Sequence, residues 1–571
     1  MNNVRLLLWF GLLFVVWLNI DAWMQGREAA ARAAVAEAPP AAQAPGSGAS
    51  ALPSNPGAGL ADALPTIGAP AAPAADAAAG ELPSGVPAAA PIVRVVTDVL
   101  DLDLSLEGGS LLRADLLAYP LHKNDPGTPV RLFDTSSAET MYVYQSGLTT
   151  GQAGRAEPNH KAVFAAPARE FRLGAGANEL VVPLTWTDGE GLTVTKTYTF
   201  RRGSYVVDAA YDVVNAGPAP VPFAHYSQLL RHSVPVERSM FDVESYAFRG
   251  PAVYDGESYQ KLAIDDEEDS RFSRAITDGW AAAMQHHFVA AIVPPAGQAY
   301  QYTLRVEEQD YLFRTVGPAL AVSPGTPARF TERLFVGPKL QAQLQEAGPR
   351  LELTADYGKL TILSQPLFWL LDKVHGVVGN WGWAIIIVTL LIKLVFYKLS
   401  ETSGRSMAKM RTVAPRLKTI QERYKDDREG QARAMMELYK REKINPVAGC
   451  LPMLVQIPFF LAFYWVLLES VEMRQAPFMG WIQDLSSRDP FFILPLLMGA
   501  AMYGQFKLNP APPDPVQAKV FAFMPVIMTV MFAWFPAGLV LYWLTNTLLS
   551  IAQQWKINRV VEAEAKKERT Q

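Results

Sequence analysis

The sequence predicts a polytopic α-helical membrane protein with six spans, joined to a large all-β domain that lies outside the membrane. Three observations lead there. Long apolar runs cluster at the N-terminus and beyond about residue 360. Between them lies a stretch of short alternating segments punctuated by turn residues. Lys and Arg crowd into the segment 398–443 and into the last sixteen residues. The whole-chain values agree: 50% of the 571 residues are apolar and 19% are charged, against about 25% charged in globular domains. A net charge of -4 gives no general reason to expect nucleic-acid binding.

The N-terminal segment 1–25 reads Arg5, the apolar run Leu6–Ile20, then Asp21. It is expected to be a transmembrane anchor, with Trp9, Trp17 and Trp23 suited to the interface. A cleaved signal peptide is the alternative, because small residues follow Arg27. Residues 26–91 are almost entirely Ala, Pro, Gly and Ser, a composition that buries no core and makes a tether.

Residues 92–345 carry the β pattern. Leu192–Phe200 and Tyr205–Val214 alternate on either side of Arg202-Gly203, which predicts a hairpin. Ala282–Val293 and Tyr300–Val306 are further strand candidates, and the spacing suits a large sandwich. No run here approaches membrane length, so this domain is expected to be soluble.

Residues 360–380 place Leu367, Leu370, Leu371, Val374 and Val378 at helical spacing, with Asp372, Lys373 and His375 between them. This predicts an amphipathic helix on the membrane surface or, alternatively, one packed on the β-domain. Five spans are then expected within 382–556: Trp383–Leu399, Val447–Leu468, Phe491–Phe506, Val520–Phe535 and Ala537–Ile551. Pro536 and Gly538 separate the last two, since about 32 helical residues would far exceed a ~30 Å bilayer core. Three of the final spans hold about 16 residues, roughly 24 Å, and spans this short can thin the local bilayer.

Orientation follows from charge. Lys398–Lys443 holds thirteen basic and seven acidic residues, a net of +6, and Lys556, Arg559, Lys566, Lys567 and Arg569 sit in the tail. Both regions are therefore expected in the cytoplasm. With six spans the N-terminus is also inside and the β-domain outside, so residues 26–380 are largely periplasmic. The 400–445 segment predicts an antiparallel helical hairpin, with Met407, Met410, Leu417 and Ile420 facing Met435, Leu438 and Tyr439. Its methionines are either ordinary packing or an adaptable surface for apolar chains. Residues 557–571 form a basic cytoplasmic tail.

No cofactor is implied. The chain has no GxxxxGK[ST] loop, no HExxH and no convincing GxSxG, and its one cysteine, Cys450, allows neither an internal disulfide nor a CxxC zinc pair. The most informative residue is Lys393, inside the run IIIVTLLIKLVFYKL. A cation at mid-membrane costs about 2.5–3.5 kcal/mol on insertion scales and usually faces a polar cavity. Snorkelling to the cytoplasmic interface is the alternative. Thr389, Gln456, Thr545, Asn546 and Thr547 are polar residues of the same slab, each alone typical of a helix–helix hydrogen bond.

Several motifs carry a family resemblance. Asn445–Phe460 (NPVAGCLPMLVQIPFF), Arg405–Arg411 (RSMAKMR), Glu472–Pro477 (EMRQAP), Phe523–Val526 (FMPV) and Trp534–Tyr542 (WFPAGLVLY) resemble the Oxa/Alb/YidC insertases. So do Gly279–Ala291, Val336–Lys339, Asp356–Gly358, Pro366–Trp369 and Asn380–Trp383. The likeness runs in order from about residue 1 to 560, weakest in the Ala/Pro tether. It implies a periplasmic β-supersandwich and a five-helix insertase core with a cytoplasmic hairpin. It also implies a hydrophilic groove open to cytoplasm and lipid. The implied activity is insertion, folding and assembly of inner-membrane proteins, alone or with the Sec translocon, and no enzymatic reaction. The implied partners are nascent membrane proteins, the ribosome, the Sec translocon and membrane lipids. By the same match, Lys393, Thr389, Gln456, Tyr542 and Trp543 fall on groove or substrate-contact positions. One departure stands out: the family's groove cation is usually arginine, and lysine keeps the charge without the bidentate geometry.

Two rival readings remain. A transporter needs paired polar sites at broken helices, often in inverted repeats, and no repeat is visible. A sugar- or wall-acting enzyme needs a catalytic pair; His286 and His287 are the nearest candidates, but they sit in a strand-like run.

Overall fold

A computed structural model of the chain describes residues 91–570, apart from 153, 236–244, 246, 426, 443–450 and 509–514. The expected anchor 1–25, the tether up to residue 90, and Asn445–Cys450 of the family motif lie outside the described residues.

From Ile92 to Pro338 the described chain is built almost wholly from strands, in one sheet of eleven and one of eight. The pairing is antiparallel except where Ile92–Val96 runs parallel to Glu170–Arg172. Alternation sets the register. In Leu192–Arg201 every second residue is buried, and it pairs with Val206–Asn215 from Leu192 opposite Asn215 to Phe200 opposite Val207. That is the predicted hairpin, and its turn needs Gly203, whose φ is 70°. The core between the sheets includes the fully enclosed Trp280, Tyr144, Tyr198, Tyr211, Phe133 and Phe164.

One strand expectation is corrected. Ala282–Val293 is not a single strand but the end of Trp280–Met284 followed by Phe288–Val293, paired antiparallel. Gln285 N donates to Phe288 O at 2.9 Å, so His286 and His287 occupy a tight turn. Both strands are buried along their whole length, so no alternation marks the break.

The helical part holds α1 (Thr361–Val378), α2 (Trp381–Val395), α3 (Tyr397–Arg423), α4 (Arg428–Arg441), α5 (Leu451–Glu469), α6 (Ile493–Leu508), α7 (Pro515–Phe532) and α8 (Ala537–Thr570). Gly379, with φ 66°, ends α1, and the Asn380 side chain accepts from Trp383 N at 3.1 Å to start α2. The predicted face of α1 packs on the other helices rather than on the sandwich. Leu367 and Leu371 are buried there, and Ser364 Oγ donates to Ala462 O of α5 at 3.2 Å. Its other side presents Ile362, Trp369 and Val377 outward.

The expected span Trp383–Leu399 is shorter than its apolar run. α2 stops at Val395, and α3 leaves at a bend of 66° after Phe396. Fifteen residues rise about 22 Å, below a ~30 Å bilayer core. Among the described residues no single helix is long and apolar enough to cross a membrane, and the bent pair Trp381–Val395 and Tyr397–Met410 passes together. The break at Pro536 is present between α7 and α8. α8 then runs 34 residues without interruption, past Ile551 and across the expected start of the tail at 557. The hairpin is formed by α3 and α4 around Tyr424–Asp427. Val413, Leu417, Leu438 and Tyr439 make its small core, with Met410, Ile420 and Met435 packed against it.

Candidate functional site

α2 and α8 bring the charged residue to its partner. Lys393 is half-buried on α2, and its Nζ donates to Ser550 Oγ on α8 at 2.8 Å. Ser550 Oγ in turn donates to Asn546 O at 2.7 Å, one turn back on the same helix. The lysine is thus tied across the helix pair by one hydroxyl. No carboxylate pairs with Lys393 among the described residues.

The other sequence-predicted residues fall in different places. Thr389 is buried one turn from Lys393, and its hydroxyl turns back to Ile385 O at 2.6 Å, so it is spent within its own helix. Gln456 is half-buried near the N-terminal end of α5. Phe459, three residues on, meets Phe396 edge-on at 5.0 Å, which sets that part of α5 close to the end of α2. Tyr542 and Trp543 belong to an aromatic layer. Tyr542 stacks on Phe463 at 4.6 Å, while Trp543 meets Phe460 at 4.4 Å and Phe532 at 4.9 Å.

The candidates therefore form two layers along α8. The aromatic layer sits at residues 542–543 and the polar layer at 546–550, about 6–12 Å further along the axis. This geometry suits handling a segment that is polar at one end and apolar at the other. It supplies hydrogen-bond donors, charge and aromatic surface. Ser550 is the residue the sequence reading missed. Its signal was the helical i,i+4 relation to Asn546 within the polar run of the last apolar segment.

Comparison with known proteins follows the same division. Residues 92–370 match the family described as the YidC periplasmic domain, and residues 373–565 match the family described as 60Kd inner membrane protein. A membrane protein insertase YidC of Thioalkalivibrio sulfidiphilus is 52% identical over 485 residues, covering 83% of this chain and 86% of that one. The membrane protein insertase YidC of Nitrosococcus oceani is 44% identical over 565 residues, covering 99% and 100%. Among solved structures, an active YidC insertase crystal structure with its first transmembrane domain resolved aligns over 81% of this chain and 94% of its own, at 19% identity and a TM-score of 0.35. The relatives carry the name of insertases, which are not enzymes. The chain belongs to the YidC family of membrane protein insertases.

Proposed function

We propose that this chain inserts proteins into the bacterial inner membrane and helps them fold and assemble there, alone or with the Sec translocon, through a hydrophilic groove that carries Lys393. The observation that carries the reading is the state of Lys393. An ammonium has three donors, and here one reaches a serine hydroxyl while no carboxylate competes among the described residues. The remaining donors suit an acidic group in the polar outer segment of a nascent chain, which is thereby spared an unassisted crossing of hydrocarbon. Gln456 adds polarity beside the end of α2, Thr389 holds its hydroxyl within α2 one turn from Lys393, and Tyr542 and Trp543 give the apolar part of the client a surface on its way to lipid. The apolar runs support six spans, and the distribution of Lys and Arg supports cytoplasmic termini and a largely periplasmic segment 26–380. The basic hairpin α3–α4 and the tail suit a ribosome, whose phosphates attract cations.

The test is depletion of the protein in its host, with wild type, Lys393→Ala or Lys393→Arg supplied in trans. Insertion of a small client with an acidic outer segment is scored by protease accessibility. Wild type and the Arg variant are expected to restore insertion, and the Ala variant to lower it about tenfold. Equal insertion with Ala removes the charged groove from the mechanism. Undiminished insertion on depletion removes the insertase activity itself.

A further inference from the structure

The motifs of the extramembrane part that resemble the family are not absorbed by the groove, and they converge at one place. The His286–His287 turn of the sandwich meets the outer end of α5. The two rings stack with centroids 3.8 Å apart, and both residues are buried. His286 Nε2 donates to Leu468 O at 3.1 Å. Leu468 is in the last turn of α5, where carbonyls have no donor within the helix. The sandwich therefore supplies a cap that the helix lacks. Burial, with Lys339, Arg249 and Arg474 nearby, pushes the His286 pKa down to about 3, and burial with His286, Lys339 and Arg474 nearby holds His287 well below its ordinary value. The pair is neutral across the physiological range, so it caps as an uncharged donor.

The loop after α5 completes the contact. Val471 is 1% exposed and is part of the hydrophobic core of the sandwich. Arg474 Nη2 donates to Pro120 O at 2.9 Å and Leu121 O at 3.1 Å, and its guanidinium lies 5.6 Å from the Phe288 ring centre. Gln475 Nε2 donates to Pro120 O at 3.0 Å, while Lys123 Nζ returns a bond to Gln475 O at 3.0 Å. Gln475 holds φ at 58°, a left-handed conformation that costs about 1–3 kcal/mol in a non-glycine residue unless its surroundings enforce it.

We propose that this junction is a positioning site for insertion. The sandwich grips α5 by its outer end and so holds the inner end, with Gln456, Phe459 and Phe460, against the Lys393 and Trp543 layers. His286, His287 and Arg474 are its positioning residues, and none of them touches the client. The inference rests on the groove reading above. α5 is the link: Glu469 and Gln456 are thirteen residues apart, about 20 Å along one continuous helix that carries Pro458 near Gln456. A displaced outer end tilts the groove wall without altering any groove residue.

The experiment uses the full-length protein in lipid nanodiscs for hydrogen exchange and the depleted host for insertion. The variants are His286→Ala/His287→Ala, Arg474→Ala, and His286→Gln, whose amide N–H keeps a donor. The Ala variants are expected to speed exchange of the last-turn amides of α5 about tenfold while the strands of the sandwich stay protected. Insertion of a client with an acidic outer segment is expected to fall about threefold to fivefold, more than that of a client lacking one. His286→Gln is expected to restore both. Unchanged α5 exchange in the Ala variants overturns the proposal. So does equal loss for both clients, which marks a general folding defect. If the histidine variant also deprotects the sandwich strands, Arg474→Ala alone decides by the same two criteria. Wild-type insertion and Lys393→Ala run in parallel. Their failure to differ overturns the groove reading while the exchange result still reports on the junction.

Discussion

Lys196 in the sandwich and Lys393 in the helical region are both withdrawn from water, and their surroundings are opposite. Lys196 is wholly enclosed. Its Nζ donates to Gly108 O at 2.8 Å, Gly109 O at 3.2 Å and Ser146 O at 3.4 Å, and it lies 5.0 Å and 5.2 Å from the ring centres of Tyr198 and Tyr211. All three donors are used, and burial still pushes its pKa down to about 7, with Glu332 opposing the shift. Lys393 has one hydroxyl partner. The first ammonium has every hydrogen placed, and the second has hydrogens to spare. The same contrast holds between the two regions. The sandwich encloses its large aromatic residues, whereas α6 and α7 leave Leu496, Phe523, Val526 and Val530 more than half exposed. One region is built against water, and the other presents the surface expected of a hydrocarbon solvent.

The largest effect expected on this comparison comes from Trp280. It is fully buried, stacks on Tyr254 at 6.1 Å and donates Nε1 to Pro349 O at 3.0 Å. Trp280→Ala should cost about 3–5 kcal/mol, read as a shift of the sandwich's denaturant midpoint. A much smaller loss shows that this core is not the close-packed one described.

The lysines come next. Lys196→Met should destabilise the sandwich by about 1–3 kcal/mol, because Gly108 O and Ser146 O lose the ammonium and Gly109 O keeps only the Tyr198 hydroxyl. Lys393→Met should leave thermal stability within about 1 kcal/mol of wild type and reduce insertion instead. Similar stability losses in both variants erase the distinction between them.

The smallest effect is one of pH, at Glu472 of the junction. Burial, reinforced by Asp372, pushes its carboxyl up to about 7 from an ordinary 4.5. Between those values the folded form holds the proton that the unfolded form has released, so stability falls as pH rises from about 4.5 to 7. Glu472→Gln removes that loss. Its midpoint relative to wild type should therefore be higher at pH 8 than at pH 5, and a pH-independent difference shows that Glu472 does not carry the charge penalty.

Much of the sandwich was legible because a half-buried strand must alternate, as Leu192–Arg201 does. Trp280–Val293 hid its turn because both faces are buried and every position is apolar until Gln285-His286-His287. The polar triplet was the only sign, and it read equally well as a strand interior. In the candidate site, Lys393 stood out because a charge in an apolar run is expensive. Ser550 did not, because a serine near a helix end is common and its meaning depends on which helix lies beside it. The layering of Tyr542 and Trp543 against Phe460, Phe463 and Phe532 likewise depends on three helices meeting, which no single segment encodes. The bend after Phe396 was hidden by continuous hydrophobicity through Leu394–Phe396.

The uninterrupted run of α8 has a mechanical meaning. Thirty-four residues make a rod of about 51 Å. Its first residues are pinned at the far side, where Ala537 N donates to Ser487 O at 2.7 Å and Gly538 N to Leu485 O at 2.8 Å. Asn546 and Ser550 sit partway along it. A rod fixed at its root has no slack between root and tip. A turn of its basic tip about the helix axis therefore also turns Ser550 beside Lys393.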